Sequence, residues 1–424
     1  MSPVLAGPDG RRRGGSPARR VIVPAALLLA VLLLGPACCC YTSTAARTRP
    51  PGRREPAGAR ARPAATGAGP VEVRVRLTEA GSPAVLTHNR AVVLSRGRET
   101  ARVEAGGSIR LSLERGVRVE AGGRTWPAGP ETLRLRPVEP GLWSLGGRRY
   151  RGAMLAFTDR EGGLAVVNEL DIEEYLASVV PCEIGPINDA TFEAVKAQAV
   201  AARSFTLTRL EARKGLGHSL FDTYRRDQEY KGAGAEVELA RQAVRETAGE
   251  VLLWQGAPLE ALYHANCGGM TAPGSNAALR SVRDTPGGRA GRAWCGDGRH
   301  YSWTLSLGRE EFERKLAVAA GQGRRVRVRG VRVERDESGR ARRLNFTSDK
   351  GSFSIGGSDF RFGIGLKSTL FEVELGTRTV KFTGRGWGHG VGLCQEGAVA
   401  MARAGKDHRA ILGHYYPAAT IGRR

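Results

Sequence analysis

Long apolar runs are almost absent. Only Val21–Ala37 is continuously apolar, which excludes a polytopic membrane protein. No fixed-period repeat is found, so neither a solenoid nor a propeller is expected. Aromatic residues make up 6% of the chain, and lysine supplies only eight of the 65 basic side chains. The positive charge is therefore nearly all arginine. An Arg excess beside abundant Ala, Gly and Pro fits coding bias as well as it fits a polyanionic ligand. What is present excludes global disorder, because 41% hydrophobic residues in a chain of 424 can bury a sizeable core. One large domain or two is expected at this length. Acids number 42, for a net charge of +23, a balance suited to nucleic acid or to an anionic polymer of the cell envelope.

The first forty residues decide between those classes. Arg11, Arg12, Arg13, Arg19 and Arg20 precede the apolar run, and Cys38, Cys39 and Cys40 follow it. A positive region, a short apolar region and small residues describe a secretory signal over residues 1–40. The run is about 17 residues long with Pro24 inside it, marginal for a spanning helix. Small residues before a cysteine also match bacterial lipoprotein processing, with Cys38 as the acylated residue, although Gly35 stands where that signal prefers Leu. Export to the envelope or periplasm is expected, with membrane association through the N-terminus. Nucleic acid is thereby removed from the partner classes. Residues 41–70, rich in Pro, Gly and Arg, read as a disordered, solvated linker. Beyond it the chain keeps Cys182, Cys267, Cys295 and Cys394. In an exported protein these can be two disulfides, one disulfide with spare thiols, or a metal site.

The fold class expected is α+β. Residues 71–160 alternate with period two (VEVRVRL, SIRLSL, TLRLRP, MLAF) between Gly and Pro clusters, which predicts a β-rich part of short strands. Residues 161–421 predict a mixed α/β part. In it Asp171 and Glu174 form a capping box for IEEYLASVV, Pro181 stops that helix, and Cys182–Pro186 is a tight loop. A long Ala-rich helix follows from about Ala190 to Arg213. Val195, Ala199, Ala202 and Thr206 share one of its faces, and Lys196, Val200, Arg203 and Leu207 the adjoining one. A flexible Gly/Arg loop spans Arg283–Arg292, and a hairpin turns at Asp336–Gly339.

Three segments in order resemble the SpoIID/LytB family of bacterial cell-wall proteins. They are LDIEEYLASVVPCEIG with FEAVKAQAVAARSFTL, QEYKG with AVRETAGEVLLWQGAPLEALYHANCGGMT, and FTGRGWGHGVGLCQEGAVAMARAG with ILGHYYPAATI. The resemblance spans roughly residues 70–421. It implies a peptidoglycan lytic transglycosylase, which cuts the MurNAc–GlcNAc bond of glycan strands lacking stem peptides, or a related amidase enhancer. It also implies that the acid is Glu183, although the family usually carries Ser where this chain has Cys182. Glycosidic cleavage needs a proton donor for the leaving oxygen, and hydrolases normally add a second carboxylate. A lytic transglycosylase needs one carboxyl only, because the sugar's own C6 hydroxyl closes a 1,6-anhydro ring. Such a Glu must be protonated near neutral pH, so burial should raise its pKa, with Lys196 or Arg203 pulling the other way.

KAQAVAAR is characteristic of the family, so the resemblance implies Lys196, Gln198 and Arg203 as candidates for shaping the site or gripping the lactyl carboxylates of MurNAc. On a helix Gln198 lies about 200° from Lys196, so at least one of the three is structural. The glycine-rich GRGWGHGVG lacks the residues of a phosphate loop. It reads instead as a sharp backbone path presenting Trp387 and His389 beside a sugar groove, or as the seat of a buried Trp. Gln228, Tyr230 and Gln395 are carried over from the resemblance as site-lining residues. The chemistry requires no cofactor. Expected partners are glycan strands and a cell-wall amidase.

Cys267, Cys295 and Cys394 lie in three separate segments. With His300 they could make a closed structural Cys3His zinc site, with His264 as the reserve ligand. A Cys267–Cys295 disulfide or one to Cys394 stays as open as zinc, and free thiols are the remaining alternative. Some family members bind zinc around the Gln-x-Tyr motif, but Phe221 and Asp227 occupy that region here, so that site is not inherited. Ala272 also stands where relatives often carry an acid.

Overall fold

The computed structural model describes residues 69–77, 82–288, 290–323 and 326–424. The signal region, Cys38 and residues 41–68 of the linker lie outside the described residues. From there twelve strands follow: β1 (Glu72–Arg76), β2 (Ala84–His88), β3 (Val92–Arg96), β4 (Glu99–Val103), β5 (Ile109–Leu113), β6 (Val117–Ala121), β7 (Arg124–Gly129), β8 (Leu133–Pro137), β9 (Trp143–Leu145), β10 (Arg148–Tyr150), β11 (Ala153–Thr158) and β12 (Leu164–Asp171). The alternation read from the sequence is their burial pattern: Val73, Val75, Ile109, Leu111, Leu133 and Leu135 point inward and are fully buried. One sheet runs β10-β9-β2-β5-β6-β7. The other takes β1, β12, β11, β8, β3 and β4, with β13 (Leu220–Phe221) added parallel to β1 at its edge.

That sheet crosses the expected boundary at residue 160. β12 pairs antiparallel with both β1 and β11, and Leu164–Leu170 are buried without alternation. A strand covered on both faces has no exposed side to alternate with, and its two polar members are buried with partners, Asn168 on the Arg151 and Ala153 carbonyls and Glu169 on Arg74. Its second cover is α1 (Ile172–Glu183) and α2 (Phe192–Ala212), whose buried side chains join the same core as the strands. The β-rich part and the helices therefore share one interior.

Helix α2 is enclosed all round. Every residue from Ala197 to Thr206 is buried, so the stripe through Lys196 and Arg203 is not a solvated face. Alanine makes this possible, since a small side chain lets α1, α3 (Glu238–Glu246) and β14 (Glu250–Trp254) approach closely. After β15 (Ala257–Pro258) and β16 (Tyr263–His264) the chain enters a second core. β17 (Ser302–Gly308), α4 (Arg309–Ala319), β18 (Val328–Arg335), β19 (Ala341–Ser348), β20 (Gly351–Gly356), α5 (Gly357–Ile364), β21 (Phe371–Leu375) and β22 (Thr379–Arg385) bury Phe312, Phe346, Phe360, Phe371 and Phe382 together. Within the α/β part expected over residues 161–421, these elements form an inserted unit with its own aromatic core. β23 (Leu393–Cys394), α6 (Gln395–Arg403), α7 (His408–Tyr415) and β24 (Thr420–Arg423) return to the first core, where β24 pairs with β14. Among the described residues no helix is long and apolar enough to cross a membrane.

Candidate active site

Pro181 does not stop the first helix. It sits inside α1, which runs on to Glu183 and closes with the Ile184 N–H on the Val180 carbonyl. A proline so near the end forfeits a single intrahelical bond, a small loss once the helix has only two residues left to run. Glu183 is therefore the last helical residue rather than part of a loop. A carboxylate there faces the negative end of the helix dipole, which favours its protonated form.

Burial pushes the Glu183 carboxyl up to about 7. The Glu229 backbone N–H, donated to Glu183 Oε1 at 2.8 Å, pulls it back, while the Glu229 charge raises it. A hydrogen bond with the Tyr263 side chain and the charge of Lys231 lower it further. The cation that tempers this acid is thus Lys231 rather than Lys196 or Arg203.

Tyr263 is held by a fixed chain of donors. Gln228 is fully buried, and its Oε1 accepts from the Tyr175 hydroxyl (3.0 Å) and from Thr206 Oγ1 (2.8 Å). That leaves Nε2 as the end that donates to the Tyr263 hydroxyl at 2.9 Å. Since the Tyr263 oxygen accepts there, its own proton is available to Glu183. Tyr263 stands on β16, which pairs parallel with β23. His389 braces the same strand. Its Nδ1 accepts from the Val391 N–H at 3.1 Å, so Nε2 carries the proton and donates to the Tyr263 carbonyl at 2.9 Å. Gly388 and Gly390 take positive φ (112° and 88°), and a Cβ at either would collide with His264 or Arg340. Sequence reasoning named Gln228 and His389 but missed Tyr263 and Glu229, although both lie inside quoted motifs. A buried tyrosine and a backbone donor leave no spacing signal.

Other expected residues lie elsewhere. Arg203 is buried, bonds both oxygens of Glu173 at 2.8 and 2.6 Å, and caps the Glu250 and Val244 carbonyls. Lys196 pairs with Glu193 (2.9 Å) and Glu246 (2.8 Å). Tyr230 donates to Asn168 Oδ1 at 2.6 Å within the core. Gln395 donates to buried Gln198 at 3.4 Å. Trp387 is half-buried, with Lys367 over its ring at 4.8 Å and His300 edge-on at 4.3 Å. Of the set, only Gln228 and His389 lead directly to Glu183, through Tyr263.

Cys267, Cys295 and Cys394 do come together, all buried and all as free thiols. Their fourth neighbour is Asp284, not His300. His300 Nδ1 is engaged by Glu396 at 2.7 Å, and the reserve ligand His264 bonds the Val391 carbonyl through Nδ1. Cys182 is separate, in the last turn of α1. A shallow depression of about 980 Å³ between Arg309, Glu313, Arg327 and Gly376 touches none of these residues.

The SpoIID family model, described as stage II sporulation protein, matches residues 160–254, and a domain family of unknown function matches residues 295–392. The second range coincides with the inserted unit. Stage II sporulation protein D of Bacillus subtilis is 30% identical over 272 residues, covering 60% of this chain and 75% of that one. An uncharacterised protein of Brachyspira hyodysenteriae is 30% identical over 277 residues, covering 65% and 72%. The amidase enhancer of Bacillus subtilis is 26% identical over 303 residues, covering 58% of this chain and 40% of its own length.

Proposed function

The chain belongs to the SpoIID family, which gives it a cell-wall role and an extracellular or envelope setting, and we propose that it is a peptidoglycan lytic transglycosylase with Glu183 as its acid and base. The observation that carries this reading is a single half-buried carboxyl whose pKa lies at about 7, fixed on one oxygen by the Glu229 N–H. At neutral pH a large fraction of it holds a proton, as a general acid must.

The proton passes from Glu183 to the bridging oxygen between MurNAc and GlcNAc as the C1–O bond breaks. The C6 hydroxyl of the same MurNAc then bonds to C1, and its proton returns to the Glu183 carboxylate. No water is consumed and no second carboxylate is required, in contrast to hydrolysis. Tyr263 supports both states of the acid, since its hydroxyl can donate to the carboxylate and stays hydrogen-bonded to Gln228 throughout. Purified chain incubated with peptide-free glycan, with fragments read by mass, tests the reading. Anhydro ends made by the wild type and not by Glu183→Gln support it, whereas ordinary reducing ends overturn it.

The likeness to an amidase enhancer favours a second reading, a glycan binder that stimulates a cell-wall amidase. Under it the wild type and Glu183→Gln are equally inactive on glycan and equally effective in accelerating the amidase.

A further inference from the structure

The inserted unit leaves the first core just after Cys295 and rejoins it just before Cys394, so both cysteines mark its neck. Cys267 lies three residues beyond β16, and Asp284 lies on the loop that separates Cys267 from Cys295. Three positions along one stretch and a fourth from far along the chain thus deliver one ligand-type atom each to one buried point. Those four atoms lie within 4.8 Å of one another. Cys267 Sγ is 3.4 Å from Cys295 Sγ and 3.2 Å from Asp284 Oδ2. A tetrahedral zinc ion, with Zn–S near 2.3 Å and Zn–O near 2.0–2.2 Å, sets its ligand atoms about 3.6–3.8 Å apart, within the observed spread.

The surroundings are built for negative charge. Backbone N–H groups point at the sulfurs, from Cys267 to Cys394 Sγ at 3.2 Å and from Gly269 to Cys267 Sγ at 3.4 Å. The second oxygen of Asp284 is fixed by the Tyr415 hydroxyl at 2.7 Å, while the Cys295 N–H donates to the first at 3.2 Å. Arg340, reaching in from the inserted unit, is buried. Its Nη2 donates to the Cys267 carbonyl at 2.5 Å, and Nε and Nη1 have no hydrogen-bond partner. A buried guanidinium needs anions beside it. Three thiolates and a carboxylate around Zn²⁺ carry a net charge of −2, which Arg340 partly offsets.

We propose that Cys267, Asp284, Cys295 and Cys394 bind a structural zinc ion that clasps the neck of the inserted unit to the first core. All four positions are filled by protein, so the ion has no open site and takes no part in glycan chemistry. Its effect on the reaction is positional. In the β16–β23 ladder His264 pairs with Cys394 and Tyr263 with Leu393. The clasp therefore fixes the strand from which Tyr263 meets Glu183.

The full chain, purified from zinc-containing medium without added reductant, is tested by elemental analysis and thiol-resolved mass. About one zinc per chain is expected, together with thiolate-to-metal charge-transfer bands when cobalt replaces it. Asp284→Asn and Cys394→Ser should lower zinc occupancy roughly tenfold or more in competition with a chelator. His300→Ala and Cys182→Ser should keep it. If the ligand variants do not fold, zinc content and the cobalt spectrum of the wild type still decide. A wild-type chain that neither contains nor takes up zinc overturns the proposal. So does a Cys267–Cys295 disulfide in the isolated protein, or zinc that is lost with His300→Ala and kept with Asp284→Asn.

Discussion

The backbone N–H of Glu229 donates to Glu183 Oε1 at 2.8 Å, while the carboxylate of the same Glu229 raises the pKa of Glu183 by its charge. The backbone of this residue thus fixes the acid and favours its ionised form, while its side-chain charge favours the protonated one. Lys231, two residues on, acts in the opposite direction. Glycan cleavage should therefore be highest in acid and fall as pH rises through about 7. Glu229→Gln should move that limb to lower pH and Lys231→Met to higher pH. Rates across pH 5–9 check both shifts, and a limb unmoved by either variant would remove Glu183 as the titrating group.

Tyr263→Phe removes a donor that favours the ionised acid and leaves Gln228 Nε2 with only its longer bond to the Ala202 carbonyl. The alkaline limb should shift upward, because a hydrogen bond to the charged form is lost. The plateau at low pH should nevertheless fall by roughly tenfold to a hundredfold as the carboxyl loses its fixed position. Comparison of kcat and KM separates this from weakened binding, since KM should hardly change.

The raised pKa also has a cost in stability. A Glu with an ordinary value of 4.5 when unfolded and about 7 when folded stabilises the protein fully below pH 4.5. That contribution is lost as pH rises through about 7. Glu183→Gln escapes the penalty. It should be more stable than the wild type at pH 8, by on the order of 2 kcal/mol after discounting for partial exposure, and the difference should vanish by pH 4. Urea midpoints at the two pH values measure it. An equal gap at both would mean the amide acts by packing.

The β-strands were readable because alternation is a local pattern, and inward residues such as Val73, Ile109 and Leu133 repeat every second position. Helix α2 was readable as a helix but not as an enclosed one. Its alanines carry no strong apolar stripe, and burial of Arg203 depends on Glu173 thirty positions away. The inserted unit was invisible because Phe312, Phe346, Phe360, Phe371 and Phe382 meet only in three dimensions. At the site, Glu183 was singled out by the family resemblance, not by any local pattern. Asp284 was not, since it lies in a Gly/Arg-rich stretch that reads as a flexible loop and has no ligand spacing to any cysteine. Tyr263 was hidden for a similar reason: its partner Gln228 is distant in sequence, and only the β16–β23 ladder brings it to the acid.

Arg203 gives the sharpest contrast between a residue that looks functional and one that holds the fold. The family resemblance directs it toward shaping the site or gripping a lactyl carboxylate. In the structure its Nε and Nη2 hold Glu173 bidentately, and Nη1 and Nη2 cap carbonyls of Glu250 and Val244. It therefore ties α1 to α3 and β14 through α2. Arg203→Ala leaves a carboxylate and two carbonyls without their donor, a loss of roughly 3 kcal/mol, at the lower end for a buried pair because Glu173 is partly exposed. Arg203→Lys should recover little, since an ammonium cannot reproduce the planar fork. Denaturation midpoints should fall for both variants, while KM for glycan, measured on folded protein, stays within about twofold of wild type. A variant with its stability intact and its glycan affinity lost would return Arg203 to the substrate.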